Sequence, residues 1–301
     1  MKAKIRGTEI YFDIAGMQLA PQGKSLIEKP VLFLIHGGPG GNHVNYKFHS
    51  IKLQEYAQLV FIDLRGCGWS KKTKASDYTL ENNIEDIEAL RKYLGLNRIS
   101  VLGASYGGMV AQGYAIRYSK HIDKLILAVT APSYHFMEEA RKYIDQHGTY
   151  KQIAYCEKYL WKGKFKSDKQ INDYFKLTDS LYFYRNRKNR IRPSFKKLTS
   201  AEFKKFSTFS HEALNAGFGG FLHHFNFIPR LKKITCPTLI LAGQHDWICR
   251  PDQSKIMAKH IPNAKLKIFA NCGHAIATDA NKKYIAEVGR FLLTKAKSKR
   301  D

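Results

Sequence analysis

Residues 99–108, Ile-Ser-Val-Leu-Gly-Ala-Ser-Tyr-Gly-Gly, give the clearest indication of the fold class. Its first four residues form an apolar run that predicts a buried strand, and the helical pattern Gly107–Tyr118 follows at once. Between them, residues 103–107 have the form G-x-S-x-G, in which a sharp turn presents a serine between strand and helix. Free N–H groups at the start of a helix favour an anion there. Ser105 is therefore the candidate nucleophile.

Similar apolar runs recur along the chain, with helical patterns between them. The predicted buried strands are Val31–Ile35, Leu59–Ile62, Ile99–Leu102, Leu125–Val129, Thr238–Leu241 and Leu266–Phe269. The predicted helices are Val44–Tyr56, Leu80–Leu94, Gly107–Tyr118 and the segments 253–260 and 281–293. This alternation predicts an α/β fold, a mostly parallel sheet with helices on both faces. Two further strands, near Ile5 and at Tyr11–Ile14, have no helix between them and are expected to form an antiparallel hairpin at the sheet edge.

The alternation is interrupted between the fourth and fifth buried strands. Residues 132–228 are aromatic-rich, basic and helical in pattern, and Thr199 and Glu202 match a helix-capping box. The length of 301 residues fits one large α/β domain with an insertion. We therefore expect a core made of residues 1–131 and 229–301, with 132–228 inserted as a helical cap.

A serine nucleophile needs a base and an orienting acid, and in such a fold the chain order is serine, acid, histidine. His274 follows the last predicted strand, where a C-terminal loop would bring an imidazole over Ser105. Asp246 follows the fifth predicted strand, and active-site loops gather at the carboxyl ends of parallel strands. The loop after the fourth strand, the other place for the acid, has no carboxylate. We assign Asp246 as the orienting acid and His274 as the base, with His245 as the alternative base.

The sequence His-Gly-Gly-Pro-Gly at 36–40 follows the first buried strand. Its three glycines let the backbone approach a ligand closely, and its proline restricts the loop. The N–H groups of Gly38 and of Tyr106, the residue after the candidate nucleophile, are expected to form an oxyanion hole. His36 is expected to order the loop by hydrogen bonding rather than to act as a base.

Five segments in this order carry a family resemblance: HGGPG at 36–40, DLRGCGWS at 63–70, GASYGG at 103–108, GQHDWICRP at 243–251 and CGH at 272–274. Together they resemble the prolyl iminopeptidase branch of the α/β-hydrolases. The resemblance implies an α/β-hydrolase fold with a helical cap, a cytosolic enzyme without a cofactor, and removal of an N-terminal residue, often proline. Because esterases, lipases and carbon–carbon hydrolases share the G-x-S-x-G motif, hydrolysis of a small ester or other acyl compound is the alternative.

The resemblance also implies that carboxylates of the cap hold the free α-ammonium group of the substrate. The glutamates of the cap are Glu138, Glu139, Glu157, Glu202 and Glu212. Glu212 lies near the position from which related enzymes offer an amine-binding glutamate, so it is the candidate amine ligand. The alternative for Glu212 is an acid that stabilises the first turn of a helix. Trp247 stands where some relatives carry a second acid.

The formal net charge is +25, from 50 Lys and Arg against 25 Asp and Glu. Such a surplus occurs in proteins that bind nucleic acids or membrane surfaces. Here it is spread almost evenly along the chain, except in residues 185–205, which hold nine basic residues against Glu202 alone. Interleaved aromatic residues make single-stranded nucleic acid the alternative partner of this cluster, and a non-enzymatic binding role the third hypothesis. We expect a solvated cap face without a specific nucleic-acid partner.

The five cysteines have no CxxC spacing, which argues against a disulfide framework and a zinc ribbon. No apolar run approaches the ~20 residues that span a bilayer, and the basic N-terminus lacks an apolar signal core. These features predict a cytoplasmic protein with no metal site and no membrane partner. The resemblance adds that the protein is an enzyme without a cofactor and that its substrate is a small molecule or short peptide. The oligomeric state is left open.

Overall fold

The computed structural model describes residues 1–185, 199, 204 and 208–294. The capping box expected at Thr199 and Glu202, and most of the basic cluster at 185–205, lie outside these residues.

A sheet of eight strands forms the centre of the molecule, and a separate hairpin of two strands lies beside it. The strands are β1 (Lys2–Ile5), β2 (Thr8–Ala15), β3 (Leu19–Gln22), β4 (Ser25–Glu28), β5 (Val31–Ile35), β6 (Gln58–Ile62), β7 (Ile99–Ala104), β8 (Ile122–Ala128), β9 (Thr238–Gly243) and β10 (Ala264–Phe269). The order in the large sheet is β1-β2-β6-β5-β7-β8-β9-β10. All pairings from β6 to β10 are parallel, whereas β1 and β2 pair antiparallel at one edge. The predicted fold class and the predicted edge hairpin are confirmed.

Helices cover both faces of the sheet and also occur in the described parts of the segment between β8 and β9. They are α1 (His43–Ser50), α2 (Leu80–Tyr93), α3 (Tyr106–Arg117), α4 (His135–His147), α5 (Tyr150–Tyr155), α6 (Asp168–Leu177), α7 (Asp179–Tyr182), α8 (His211–Phe218), α9 (Pro251–His260), α10 (Ile276–Asp279) and α11 (Asn281–Leu293). A π-helical turn, Cys156–Leu160, extends α5. The structure places helices in the predicted cap, and the bounds 132–228 of that cap stay a prediction.

The central strand β5 shows why this sequence builds two layers around one sheet. All five of its residues are buried. Because successive side chains of a strand point to opposite faces, Phe33 and Ile35 join one hydrophobic cluster and Leu32 and Leu34 the other. The first cluster continues into the cap, where Trp161 is 2% exposed. The cap helices therefore share one continuous hydrophobic cluster with α3.

Two parts of the sheet differ from the expectation. The strand predicted at Leu266–Phe269 is confirmed as part of β10, but the prediction that it is buried was wrong, because β10 is the last strand of the sheet and Ile268 is exposed on it. The hairpin β3–β4 was not predicted, since its residues are mostly exposed and lack a clear alternation.

The five cysteines are free and buried. Within the described ranges, no helix is both long and apolar enough to cross a membrane.

Candidate active site

Ser105 lies at a sharp turn between β7 and α3, with φ 55° and ψ −123°. A non-glycine residue reaches this strained backbone region only when its surroundings impose it, at a cost of about 1–3 kcal/mol. The glycines two positions away allow the turn. A Cβ at Gly103 would collide with the carbonyl oxygen of Gly107, and a Cβ at Gly107 would collide with that of Ile35. This is the geometry that the G-x-S-x-G pattern predicts.

Hydrogen bonds hold the backbone of Ser105 on both sides. Its N–H donates to the carbonyl oxygen of Ala128 at 2.9 Å, and its own carbonyl oxygen accepts from the Thr130 hydroxyl at 2.7 Å. The side chain is therefore presented from a rigid backbone at the carboxyl end of β7, as an active-site nucleophile requires.

His274 and Asp246 meet as the sequence predicts. Nδ1 of His274 lies 2.8 Å from Oδ2 of Asp246, and the Asp246 side chain is almost fully buried. The other carboxylate oxygen accepts the N–H groups of Ile248 and Cys249 at 3.0 and 2.9 Å. With these two donors and the ring N–H, the buried carboxylate has the partners that its charged form needs.

The loop at 36–40 lies against the serine. Gly37 approaches so closely that a Cβ there would lie 3.0 Å from Cβ of Ser105. Gly38 has φ 127°, where a side chain would also collide with the following backbone, so the loop requires glycine. Gly38, Ser105, Tyr106 and His274 line one cavity. Because Tyr106 is the first residue of α3, its N–H has no acceptor within the helix.

His36 orders this loop, as expected. Its Nε2 accepts the N–H of Leu64 at 3.1 Å, which leaves the proton on Nδ1, 2.8 Å from the carbonyl oxygen of Gly37. Burial lowers the pKa of His36, so the ring is neutral. A second buried pair supports the same region, since the Asp63 carboxylate lies 2.9 Å from Nδ1 of His43 and accepts the N–H of Trp69 at 2.8 Å. The aspartate of the segment 63–70 thus has a structural role that the motif alone did not reveal.

The cavity has a volume of about 300 Å³, enough for a small ligand. The cap contributes aromatic and aliphatic side chains to its wall: Phe136, Leu160, Tyr174, Phe175, Tyr182, Phe183, Phe209, Leu214, Phe218 and Leu222. No Asp, Glu, Lys or Arg occurs among the described residues that line it. Burial lowers the pKa of a second histidine in the wall, His49, to about 4. At neutral pH the described residues around the candidate catalytic groups therefore give the cavity an uncharged wall.

The cap also contacts the loop that carries His274. The ring of Tyr182 packs edge-on against the imidazole, with centroids 5.6 Å apart, and its carbonyl oxygen accepts the N–H of Ala275 at 3.1 Å. The buried carboxylate of Asp279 accepts the N–H groups of Gly273 at 2.9 Å and Tyr184 at 3.0 Å. Asp279 therefore links the loop that carries His274 to the cap segment that follows α7.

Glu212 is not brought to this cavity. Its carboxylate lies 3.0 Å from Nζ of Lys72, in an ion pair between the cap and the core, and it lines a separate surface pocket with Tyr78 and Phe221. Both partners are substantially exposed. Glu212 also occupies the first turn of α8, which agrees with the alternative of a helix-stabilising acid. Its role as an amine ligand stays a prediction.

The alternative base, His245, lies elsewhere. Its ring is exposed and stacks on Tyr184, with centroids 4.7 Å apart. Trp247, which follows Asp246, is fully buried against Trp161 of the cap. At the position where some relatives carry a second acid, this protein therefore has an aromatic contact between core and cap.

The fold and the site define an α/β-hydrolase. A sequence profile of the family described as alpha/beta hydrolase fold matches residues 30–280, and the chain belongs to this family. It is 32% identical to a protein named proline iminopeptidase PfmaB from Pestalotiopsis fici, over 94% of this chain and 98% of that protein. It is 31% identical to a proline iminopeptidase of Saccharolobus solfataricus, over 87% of this chain and 84% of that protein. The resemblance to the prolyl iminopeptidase branch is thereby confirmed.

Solved structures agree on the fold. A proline iminopeptidase from Mycobacterium smegmatis superposes with a TM-score of 0.74 at 21% identity, covering 97% of each chain. An esterase from Exiguobacterium antarcticum superposes with a TM-score of 0.71 at 22% identity, covering 96% of this chain and 97% of that chain. At such identities the likeness shows the fold alone, which peptidases and esterases share.

Proposed function

We propose that this protein is a serine hydrolase that forms an acyl-enzyme at Ser105. The observation that carries the proposal is that His274, hydrogen-bonded to Asp246, lines the same cavity as Ser105 at its strained turn. With Nδ1–H held by the carboxylate, Nε2 of His274 is left as the basic nitrogen. The carboxylate fixes this tautomer and stabilises the imidazolium that forms when the ring accepts a proton.

The reaction follows from these positions. Oγ of Ser105 attacks the substrate carbonyl carbon while Nε2 of His274 takes the hydroxyl proton. The N–H groups of Gly38 and Tyr106 stabilise the oxyanion of the tetrahedral intermediate. His274 then gives its proton to the leaving group, which departs and leaves an ester on Ser105. Water, deprotonated by His274, hydrolyses this ester, so each turnover consumes one water and regenerates the serine.

The relatives make an aminopeptidase of the prolyl iminopeptidase type the first candidate activity. Two curated proteins that share about a third of their residues with this chain over most of its length carry that name. The substrate would be a short peptide or arylamide with a free N-terminus, and the enzyme would release the N-terminal residue of that substrate.

The chemistry of the cavity favours a second candidate, the hydrolysis of a small uncharged ester or other acyl compound. A bound α-ammonium group is costly to bury without a carboxylate partner. None of the described residues that line the cavity is acidic, and Glu212 pairs with Lys72 outside it. An apolar acyl group fits the aromatic wall that the cap provides without such a partner.

Three substrates separate these candidates. Proline para-nitroanilide, its N-acetyl derivative and para-nitrophenyl butyrate are compared by kcat/KM with purified enzyme. An aminopeptidase hydrolyses the first and rejects the second, because only the first has a free amine. An esterase or acyl hydrolase, the second candidate, hydrolyses para-nitrophenyl butyrate, and its kcat/KM is no higher for proline para-nitroanilide than for the N-acetyl derivative. No turnover of any of the three, together with no labelling of Ser105 by a fluorophosphonate, would contradict the serine hydrolase itself.

A further inference from the structure

Different parts of the fold contribute to the cavity wall. The cap supplies the aromatic side described above. The core supplies polar as well as apolar side chains from α1, which begins three residues after the loop at 36–40, and from α10, which begins two residues after His274. Asn45 and His49 of α1 and Thr278 of α10 line the cavity on this side.

Asn45 and His49 are one helical turn apart, so both lie on the face of α1 that borders the cavity. The carboxamide of Asn45 makes no hydrogen bond with the described part of the chain, whereas its two neighbours in the wall are linked. Nε2 of His49 lies 3.3 Å from Oγ1 of Thr278. Nδ1 of His49 is buried and has no partner among the described residues.

Nδ1 of His49 is shielded from the cavity, whereas the carboxamide of Asn45 is only partly buried and lines it. A hydrogen-bonding group of a ligand in the cavity would therefore find its free partner in Asn45, beside the linked pair of His49 and Thr278. The wall is uncharged at neutral pH, since burial holds the pKa of His49 near 4 and amide and hydroxyl groups do not ionise. It can therefore recognise hydrogen-bonding groups but cannot neutralise a charged one.

We propose that Asn45, His49 and Thr278 form a specificity subsite that binds an uncharged hydrogen-bonding group of the substrate, a hydroxyl or carbonyl, next to the bond that Ser105 attacks. This inference rests on the proposed function, because it takes Ser105 as the nucleophile. The group belongs either to the acyl part or to the leaving alcohol, and both share the chemistry that the subsite recognises. The complete substrate then has an apolar end against the cap and an uncharged polar end against α1.

The test uses pairs of esters that differ by a hydroxyl in place of a methyl group. Ethylene glycol monobutyrate and propyl butyrate differ in the alcohol, and methyl lactate and methyl isobutyrate differ in the acyl part. In the wild-type enzyme the hydroxylated member of at least one pair is expected to have a kcat/KM about tenfold higher than its partner. The variants Asn45→Leu and Thr278→Val, which keep the approximate volume, are expected to reduce that ratio about tenfold.

Asp252→Asn, a change on the exposed surface outside the cavity, is the control and is expected to keep the wild-type ratio. Labelling with a fluorophosphonate tests Ser105 as the nucleophile separately from the subsite. An enzyme that is not labelled at Ser105 contradicts the proposed function. An enzyme that is labelled at Ser105 but shows the same ratio in wild type, Asn45→Leu and Thr278→Val contradicts the subsite alone. A labelled enzyme that hydrolyses no member of either pair contradicts it as well.

Discussion

The carboxylate of Asp246 and Nδ1 of His274 are 2.8 Å apart, although the two residues leave different strands of the sheet. The parallel pairing of β9 and β10 brings their carboxyl ends together, and the loops that follow these strands place acid and base side by side. Two backbone N–H groups donate to the second oxygen of the carboxylate and fix its orientation towards His274. A change of its charge alone should therefore affect catalysis more than folding.

Asp246→Asn is expected to lower kcat for para-nitrophenyl butyrate by ~10²–10⁴-fold, because the amide no longer fixes the tautomer of His274. Thermal unfolding followed by circular dichroism should show a folded protein. Asp252→Asn is the matched control, since Asp252 is exposed and pairs with Lys255 on the surface. Equal losses of activity in the two variants would contradict the role of Asp246.

Asp279 is expected to position the histidine loop without touching the substrate. Asp279→Ala removes the acceptor of the Gly273 and Tyr184 N–H groups. We expect about 1–3 kcal/mol less free energy of unfolding. We also expect kcat to fall about tenfold while KM changes little, because His274 is then misplaced relative to Ser105. Urea unfolding and steady-state kinetics measure the two effects, and an unchanged kcat in a destabilised protein would show that the loop holds its geometry without Asp279.

The low pKa of His49 predicts an acid-sensitive fold. Its pKa is about 4 in the folded protein, below the ordinary value of 6.5. Between these two pH values, His49 is protonated in the unfolded chain and neutral in the folded chain. The free energy of unfolding therefore falls as pH decreases from about 6.5 towards 4. From these values, His49 should cost about 2 kcal/mol of unfolding free energy between pH 7 and pH 5.

Urea unfolding at these two pH values tests this expectation. His49→Gln should lose about 2 kcal/mol less than the wild type on acidification. The exposed His260 provides the control, since His260→Gln should behave as the wild type does. An identical loss in the wild type and in His49→Gln would contradict the assignment.

Glu212→Gln tests whether this carboxylate recognises an amine. Because the structure pairs Glu212 with Lys72 outside the cavity, the ratio of kcat/KM for proline para-nitroanilide and para-nitrophenyl butyrate should change less than about twofold. Lys72→Met, which breaks the same surface pair from the other side, is the control. A tenfold loss confined to the free-amine substrate would instead support the role that the sequence suggested.

Local patterns carried most of the information about the fold and the candidate catalytic groups. Ser105 lies in a motif in which the tight turn requires glycine two positions before and after the serine. Asp246 and His274 follow strands that short apolar runs predict. Their meeting follows from parallel topology, which the alternation of strands and helices predicts.

Contacts between core and cap could not be predicted in the same way. Asp279 and Tyr184 are separated by 95 residues, and no periodicity links them. Nothing in the sequence around Glu212 shows that Lys72 is near, because that distance depends on how the cap packs. The edge position of β10 was missed for a related reason, since the apolar residues of Leu266–Phe269 do not reveal which strand ends the sheet.

The turnover of para-nitrophenyl butyrate by Ser105→Ala is the most direct test of the central claim. If Ser105 is the nucleophile, kcat falls by ~10⁴-fold or more relative to the wild type, while the circular dichroism spectrum and the unfolding transition stay as they were. A folded Ser105→Ala protein whose kcat remains within about tenfold of the wild type would show that the acyl group is never transferred to this serine.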